Sequence, residues 1–328
     1  MSRTSDSLQY TLLKRVMPQI RNNKTSTAYK KHIKKFTRWA KDNGYKKPEQ
    51  ITKDTIQEYE QYLENSPKEY SPSTIHSYIT PICAAVGVKM DEIRKPKRTA
   101  GRIIRGRRKD SDGQEVTRNR QGDLQEHDSK YARLVALQRV TGIRRAELAR
   151  LTGSDFVRHG NSWYIIVKRG KGGKRQEQYI LPQDVGTVRE IFADVSPDQR
   201  VFTREEMNNH INLHGMRAAH GRDCYAHYLR LITTKQGYAD RLRQTLLRRW
   251  EKGHEQLRQT DPEAWERQRL RFLADCDNRP YRLRGDNLSK SLAFGLPEEL
   301  DRLALMCVSV FHLSHWRLDV TVTNYIIG

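Results

Sequence analysis

The sequence has 328 residues, and its 61 lysines and arginines against 39 aspartates and glutamates give a formal net charge of +22. This length is sufficient for two domains with separate cores. The excess of positive charge indicates a polyanionic partner, most simply nucleic acid, while the lack of a long apolar run or a signal peptide argues against a membrane or secreted protein.

Residues from about Leu8 to Val88 have the periodicity of amphipathic helices. In the first clear helix, apolar residues recur at three- and four-residue intervals: Tyr29, Ile33, Phe36 and Ala40. Asn43-Gly44 should end this helix, Thr52 is a suitable N-cap for the next, and Ser71-Pro72 should open a further one. Pro81 is expected to kink or break that last helix. The lysines around these apolar residues are interpreted equally well as a DNA-contacting face or as a solvated one.

The segment from Arg94 to Lys109 contains nine lysines and arginines and no acidic residue. It cannot bury a core, so we predict a basic linker that either follows a DNA backbone or stays solvated. The polar residues after it, to Asp128, are expected to form a loop. The predicted organisation is a helical DNA-binding domain over residues 1–93, a basic linker over 94–128 and a second domain over 129–328.

The second domain is predicted to mix helices with one β-hairpin. Helices are expected at 131–140, 184–193, 204–212 and from His214 to about 231. Trp163–Val167 and Gln178–Leu181 are rich in β-branched and aromatic residues and are predicted to be strands. Gly170–Gly173 lies between them as a turn, which places Lys171 at the hairpin tip.

Residues from about 231 to 300 are rich in arginine and have an amphipathic pattern. Their large apolar residues are Leu242, Leu246, Leu247, Trp250, Trp265, Leu270 and Phe272. We expect a helical hairpin that packs on the second domain. Contact with DNA or with another subunit is the alternative.

The four cysteines, Cys83, Cys224, Cys276 and Cys307, are widely separated and form no CxxC pair. The spacing favours buried thiols in a reducing cytoplasm over a zinc site or a disulfide framework. The histidines are also dispersed, and His220 and His227 are interpreted as structural. No metal and no cofactor are predicted.

Residue types suited to metal-free attack on a phosphodiester occur in five short motifs. These are Thr141–Leu148, Gly170–Lys174, His214–Arg217, Leu313–His315 and Tyr325. Guanidinium groups donate paired hydrogen bonds to phosphate oxygens, and a tyrosine hydroxyl among cations can act as a nucleophile. In the first motif the Gly-x-Arg spacing favours Arg144 over Arg145.

These motifs, in this order, resemble those of the tyrosine recombinase, or phage integrase, family, and the resemblance covers nearly the whole chain. The segment containing Arg144 resembles the first arginine box, and the one containing Lys171 resembles the β-hairpin lysine motif. His214-Gly215-Met216-Arg217 resembles the His-x-Leu-Arg box, with Met in place of Leu. Leu313-Ser314-His315 resembles the Leu-Gly-His element, and the N-terminal module resembles the core-binding domain.

The chain departs from the family pattern in three ways. The spacing from His315 to Tyr325 is one residue longer than the commonest one, which Trp316 has instead. About seventy extra residues, roughly 231–300, separate the second arginine box from His315. Only three residues follow Tyr325, so assembly through a longer C-terminal tail is in doubt.

The resemblance implies a mostly α-helical fold in two domains. These are an N-terminal core-binding (SAM-like) domain and a C-terminal catalytic domain with a small antiparallel β-sheet. The implied site has Arg144 and Arg217 as phosphate ligands, Lys171 as proton donor to the departing 5′-oxygen and Tyr325 as nucleophile. His214 is expected to help position the phosphate and manage the tyrosine proton, and His315 (or Trp316) to hydrogen-bond the phosphate.

The implied activity is site-specific recombination by a mobile-element integrase, which cleaves and rejoins DNA through a 3′-phosphotyrosyl intermediate without metal or ATP. The implied partners are double-stranded DNA with inverted repeats, three further copies of the chain in a tetramer, and accessory DNA-bending or directionality proteins. The expected location is the bacterial cytoplasm, at the nucleoid. The alternatives are a DNA-binding regulator that has lost catalysis and an enzyme resembling a telomere resolvase or a type IB topoisomerase.

Overall fold

The computed structural model describes residues 7–20, 23–68, 70–94, 131–170, 173, 175–209, 211–277 and 279–327, together with the backbone of 108–109 and 115–116. The chain divides into two compact units, Met1–Arg118 and Asn119–Gly328. Most of the predicted linker lies outside the described residues, so the domain boundaries given above stay a prediction. In the described ranges, no helix combines the length and apolar character that a membrane span requires.

The first unit is helical, as predicted. Its helices are α1 (Leu8–Val16), α2 (Asn23–Asp42), α3 (Lys53–Glu64) and α4 (Pro72–Val86), with 3₁₀ turns at 17–19 and 48–50. Helix α4 packs against the other three. The apolar faces meet in one core, which includes Leu12, Ile33, Phe36, Ile56, Tyr59, Leu63, Ile75 and Ile82. A short antiparallel pair, β1 (Arg108–Lys109) and β2 (Glu115–Val116), follows.

Side-chain caps fix where three of these helices begin. The hydroxyl of Ser7 accepts from the backbone N–H of Tyr10 at the start of α1. Thr52 caps α3 and Ser71 caps α4 in the same way, each through the N–H three residues later. A cap of this kind typically stabilises a helix by about 1 kcal/mol. The caps at Thr52 and Ser71 are those that the sequence predicts.

Pro81 does not break α4, which continues through it to Val86. A proline has no N–H to offer the carbonyl four residues earlier, which here belongs to Ser77. The ring nitrogen Nδ1 of His32, on α2, lies 2.9 Å from that carbonyl oxygen and supplies the missing donor. The predicted break was wrong because a neighbouring helix satisfies the group that the proline leaves without a partner.

The second unit contains a three-stranded antiparallel sheet with the order β3 (Phe156–His159), β4 (Ser162–Val167), β5 (Gln176–Ile180). Strands β4 and β5 are the predicted pair, with Trp163 opposite Ile180 and Val167 opposite Gln176. Strand β3 was not predicted, since it is short and half of it is exposed. The small sheets and predominant helices confirm the predicted fold class.

Helices surround this sheet and form the rest of the second unit. They are α5 (Ala132–Thr141), α6 (Arg145–Leu148), α7 (Val185–Phe192), α8 (Arg204–Met207), α9 (Leu213–Thr234), α10 (Tyr238–Gly253), α11 (Glu255–Thr260), α12 (Pro262–Asp275), α13 (Gly285–Ala293), α14 (Arg302–Cys307) and α15 (Leu318–Thr321). Two π-helical turns, π1 (Val308–His312) and π2 (Val322–Ile326), follow α14 and α15. Helix α9 is central, because it packs against α5, α14, π1 and π2.

The helix predicted over 204–212 is shorter than expected and ends at Met207. Thr203 and Glu206 form a capping box at its start. Three asparagines then redirect the chain: Asn208 follows the last turn, Asn209 accepts the N–H of Ile211, and Asn212 caps α9. Asparagine favours such local side-chain turns over helix continuation.

The predicted insertion is a helical hairpin of α10 and α12. Trp250 and Phe272 from this hairpin are buried in the same apolar cluster as Tyr228 of α9 and Val308 of π1. A two-stranded ladder of β6 (Tyr281–Arg282) and β7 (Glu299–Leu300) closes the insertion. The insertion therefore packs on the core of the second unit, as its amphipathic pattern predicts.

Candidate active site

The first arginine motif lies where α5 ends. Gly142 has a left-handed φ of +58° and lets the chain turn into α6. A β-carbon at this position would lie 2.8 Å from Cδ2 of His220, so glycine is required for both conformation and space. Arg144 is the N-cap residue of α6, and Glu147 accepts from its Nη1 at 2.8 Å. The turn at Gly142 therefore sets the direction of the Arg144 side chain, and the hydrogen bond to Glu147 fixes the orientation of its guanidinium group.

Arg145, the other candidate in this motif, contacts different groups from those that Arg144 contacts. Its Nη1 and Nη2 donate to the backbone carbonyls of Met207 and Ile211, at 3.1 and 2.6 Å. Arg145 therefore braces the segment between α8 and α9, and Arg144 is the residue that faces the other motifs.

Arg217 lies one turn into α9 and is only 1% exposed. Its guanidinium donates to the carbonyl of Gly142 through Nη1, to the carbonyl of Leu313 through Nη2 at 2.7 Å, and to the hydroxyl of Tyr325 through Nε at 3.4 Å. All three acceptors are neutral groups. Burial lowers the pKa of Arg217, and the nearby Tyr325 partly opposes this shift.

The carbonyl of Leu313 joins the two arginines. Arg144 Nη2 lies 3.3 Å from this oxygen and Arg217 Nη2 lies 2.7 Å from it. Three motifs that are far apart in the sequence therefore meet at one backbone oxygen. The guanidinium groups of Arg144 and Arg217 are thereby brought together in the way that shared coordination of a phosphate would require.

Tyr325 is 4% exposed and lies in the π2 turn. Its hydroxyl is 3.0 Å from Nε2 of His315 as well as 3.4 Å from Nε of Arg217. The ring of His214 packs edge-on against the tyrosine ring, with 5.6 Å between centroids. Arg222 donates to the backbone carbonyl of Tyr325 at 3.3 Å, which holds the main chain.

The loop that carries His315 has an unusual backbone. Ser314 and Trp316 both have positive φ, 50° and 57°, which L-residues with side chains seldom adopt. Ser309 holds the loop, because its carbonyl accepts the N–H of His315 at 2.9 Å and its hydroxyl accepts the N–H of Arg317 at 3.0 Å. Such strain concentrates at functional sites, where the surrounding structure enforces it.

The two aromatic residues of this loop, His315 and Trp316, point in different directions. His315 faces Tyr325, with 5.3 Å between ring centroids. Trp316 packs against Phe272 and His254 of the insertion, with centroid distances of 5.8 and 6.5 Å. Of the two candidates for this position, the structure places His315 beside Tyr325.

The structure thus brings together Arg144, His214, Arg217, His315 and Tyr325, whereas Lys171 and Lys174 lie outside the described residues. Sequence reasoning missed the backbone acceptors of Gly142 and Leu313 and the role of Ser309. Gly142 and Leu313 belong to motifs quoted above, but nothing in the sequence marks their carbonyl oxygens as acceptors.

A basic groove of about 410 Å³ lies beside Glu147. Its charged lining comprises Arg150, Asp155, Lys168, Arg169 and Arg200 along with Glu147. Asp155 is paired with Lys168 at 2.9 Å, and cations outnumber carboxylates in the lining. The groove can therefore attract an anion beside Arg144.

Comparison with known proteins bears on the first unit most directly. Residues 9–92 match the family model described as the phage integrase SAM-like domain. No curated protein matches the chain at a significant level.

Comparison with solved structures finds two that are similar to parts of this chain. One is XerH site-specific recombinase bound to palindromic difH substrate in a post-cleavage complex, at 12% identity and a TM-score of 0.45, covering 69% of this chain and 86% of that one. The other is XerA recombinase, at 18% identity and a TM-score of 0.24, covering 66% of this chain and 82% of that one. At such identities and TM-scores, neither similarity decides the role of a residue here. The match of residues 9–92 to the phage integrase SAM-like domain supports the predicted resemblance to tyrosine recombinases.

Proposed function

We propose that this chain is a site-specific DNA recombinase of the integrase type, which cleaves and rejoins DNA strands through a 3′-phosphotyrosyl intermediate on Tyr325. The observation that carries the proposal is the convergence of Arg217 and His315 on the Tyr325 hydroxyl, at 3.4 and 3.0 Å. Arg144 approaches the same place through the Leu313 carbonyl.

The proposed chemistry conserves the number of phosphodiester bonds. The Tyr325 oxygen attacks phosphorus, forms a phosphotyrosyl bond and breaks the bond to the 5′-oxygen. His214 and His315 are placed to receive the tyrosine proton, and Lys171 is the proposed donor to the 5′-oxygen. Attack by a 5′-hydroxyl then reverses the step and rejoins the strands, so the reaction requires no ATP.

Arg144 and Arg217 would stabilise the charge that develops on the non-bridging oxygens. Losing one such preorganised donor typically slows a reaction by about 10²–10³-fold. A phosphate is also a better acceptor for a buried guanidinium than the carbonyl and hydroxyl oxygens that Arg217 now contacts, because the two opposite charges attract and the planar donors match the phosphate oxygens.

Tyr325 and Arg217 are both buried, which limits the access of DNA to them. A duplex cannot reach side chains that are 4% and 1% exposed unless neighbouring groups move. We therefore propose that DNA binding withdraws the Leu313 carbonyl from the two arginines and puts the scissile phosphate in its place, while His315 stays beside Tyr325. The basic groove lined by Arg150 and Lys168 provides an electrostatic path for the adjacent backbone.

The proposed partners are double-stranded DNA with inverted repeats, a homo-tetramer assembled on it, and accessory DNA-bending or directionality proteins. The proposed organisation is a core-binding domain over residues 1–93, a basic linker over 94–128 and a catalytic domain over 129–328. We propose the bacterial cytoplasm, at the nucleoid, as its location and a mobile genetic element as its source.

The test is covalent trapping on DNA taken from the region that flanks the coding sequence. A substrate nicked beside the cleavage point loses a short fragment after attack, so the covalent complex accumulates and migrates slowly in a denaturing gel. The chain should form this complex without added metal, and Tyr325→Phe should abolish it while DNA affinity stays within a few-fold. Tyr281→Phe is the matched control and should form the complex normally.

The covalent trap, together with assays on supercoiled plasmid and on a linear duplex that contains the site, separates the alternatives. Specific DNA binding without a covalent complex would identify a regulator that has lost catalysis. Relaxation of supercoiled plasmid without exchange of strands would identify a type IB topoisomerase-like enzyme, and hairpin ends would identify a telomere resolvase. Each of these results would overturn the proposal of site-specific recombination.

A further inference from the structure

Three side chains of types that commonly bind metal ions lie close together near Arg217 in the second unit. His220 and Cys224 are one turn apart on α9, and His312 is the last residue of π1. Each places a potential ligand atom within 4.8 Å of the other two, and all three residues are buried. The proposed strand cleavage uses none of them.

We propose that His220, Cys224 and His312 bind a zinc ion that braces the proposed catalytic centre. Two imidazoles and one thiolate are ligands that zinc prefers, and three protein ligands leave one position of a tetrahedral ion for water. The site is built by the fold from residues that are distant in the sequence, which explains why cysteine spacing gave no indication of it.

The distance between two of the ligands fits such an ion. Cys224 Sγ lies 3.4 Å from Nε2 of His220. Zinc–nitrogen bonds of about 2.0 Å and zinc–sulfur bonds of about 2.3 Å at a tetrahedral angle put these atoms roughly 3.5 Å apart. The pair is therefore close to ligand geometry without rearrangement.

On each imidazole, one nitrogen bonds to an oxygen atom and the other does not. His220 Nδ1 lies 3.1 Å from the carbonyl of Arg139, so this nitrogen carries the proton and Nε2 keeps its lone pair toward Cys224. His312 Nε2 lies 3.0 Å from the hydroxyl of Tyr228, while its buried Nδ1 has no hydrogen-bond partner in the described residues. Metal-binding histidines typically donate their second N–H to a carbonyl or another oxygen in this manner.

Charge is the main cost of placing a cation here, because Arg217 contributes positive potential at His220 and Arg249 does so at His312. Cys224 would lose its proton when the ion binds, and the resulting thiolate would cancel one positive charge. Asp184 and Asp223 add negative potential at the sulfur, since both raise the pKa of the thiol beyond the dominant effect of burial. These three groups offset the two arginines.

A zinc ion at this point would join α9, which carries His214 and Arg217, to the π1 turn that leads into Leu313. It would therefore hold α9, which carries Arg217, and the π1 turn in a fixed relation, next to the Leu313 carbonyl that DNA binding is proposed to displace. This role is structural, and the site can be tested without any DNA substrate.

The test uses the full chain, unfolded in denaturant with a chelator, and refolded with Zn²⁺ or with Co²⁺ as its spectroscopic substitute. We expect about one ion per chain to remain after dialysis, since ligands that form only on folding hold the metal with folding free energy. Refolding with Co²⁺ should give the thiolate-to-cobalt charge-transfer band and the visible bands of a tetrahedral ion. Zn²⁺ should also raise the melting temperature of the chain.

Cys224→Ser keeps the size of the side chain but removes the thiolate, so it should lose the charge-transfer band and the retained ion. Cys276→Ser is the matched control, because Cys276 is an equally buried thiol outside the cluster. It should keep both. Wild-type chain that refolds by circular dichroism without the charge-transfer band, or a band that Cys276→Ser loses and Cys224→Ser keeps, would overturn the proposal.

Discussion

His315 and Tyr325 are in direct contact, with 3.0 Å between the Nε2 atom of the histidine and the hydroxyl of the tyrosine. The contact depends on the left-handed backbone of Ser314 and Trp316 on either side of the histidine. Ser309 holds this backbone through hydrogen bonds, and Phe272 of the insertion packs against Trp316. The position of one imidazole is therefore set by groups from several parts of the second unit.

We predict that His315→Ala slows strand cleavage by about 10²–10³-fold, the range for loss of a positioned proton-transfer or hydrogen-bonding group. DNA affinity should change little, because one contact supplies a small part of the total. Trp316→Phe should lower the melting temperature through lost packing on Phe272 but leave cleavage within a few-fold. Single-turnover cleavage of a nicked substrate measures both variants. The reverse pattern, with Trp316→Phe the damaging change, would assign the contact to Trp316.

We predict that Arg217→Lys retains the charge but slows cleavage by about 10²–10³-fold, because lysine cannot reproduce the planar set of donors. Arg217→Ala should be at least as damaging and should also destabilise the fold, since unsatisfied buried carbonyls cost about 1–3 kcal/mol each. Both variants should bind DNA nearly as well as wild type.

Arg145→Lys is the matched control for this prediction. Arg145 is partly buried and donates only to backbone carbonyls, so the variant should melt at a lower temperature and cleave normally well below that temperature. Near-normal cleavage by Arg217→Lys would show that charge alone suffices at that position. Normal cleavage by Arg217→Ala would remove Arg217 from the proposed site.

Gly142 and Gly160 form a matched pair for a test of packing. Both have a φ of +58°, but a β-carbon at Gly142 would meet His220 at 2.8 Å whereas one at Gly160 would have nothing within 4 Å. Each change to alanine should cost roughly 1–2 kcal/mol for the left-handed backbone. Gly142→Ala should cost about 1–3 kcal/mol more for overpacking and should also impair cleavage. Urea unfolding measures the difference, and equal destabilisation would contradict the contact with His220.

The net charge predicts steep salt dependence of DNA binding, with log K falling roughly 0.9 per phosphate contact for each log unit of salt. Replacing Arg105, Arg107 and Arg108 by alanine should flatten this slope if the linker follows the DNA backbone. The control replaces three exposed arginines of the insertion, Arg258, Arg267 and Arg271. An unchanged slope in the linker variant would mean a solvated linker, and a flattened slope in the control would mean that the insertion contacts DNA.

The sequence predicted the helices, the hairpin strands and the grouping of motifs, because periodicity, caps and residue chemistry are local signals. It did not predict that Pro81 would stay inside α4, since the compensating donor, His32, comes from another helix. It did not show that Gly142 and Leu313 would contribute carbonyl oxygens, because backbone groups have no signature of their own. Such features depend on tertiary contacts between distant residues.

The extra residue between His315 and Tyr325 has a physical explanation. Tyr325 lies in the π2 turn, where the N–H of Ile327 donates to the carbonyl of Val322 at 2.9 Å. A π-helical turn accommodates one residue more than an α-helical turn and is frequent at functional sites. The longer spacing therefore still brings Tyr325 to His315.

The most direct measurement is to identify the residue that carries DNA in the trapped covalent complex. After nuclease digestion, trypsin should cleave behind Arg317 and leave residues 318–328, whose sole tyrosine is Tyr325. Mass spectrometry should find a 3′-linked nucleotide on that peptide. A nucleotide on another peptide, such as the one containing Tyr281, or a 5′-linkage, would contradict the assignment of Tyr325 as the nucleophile.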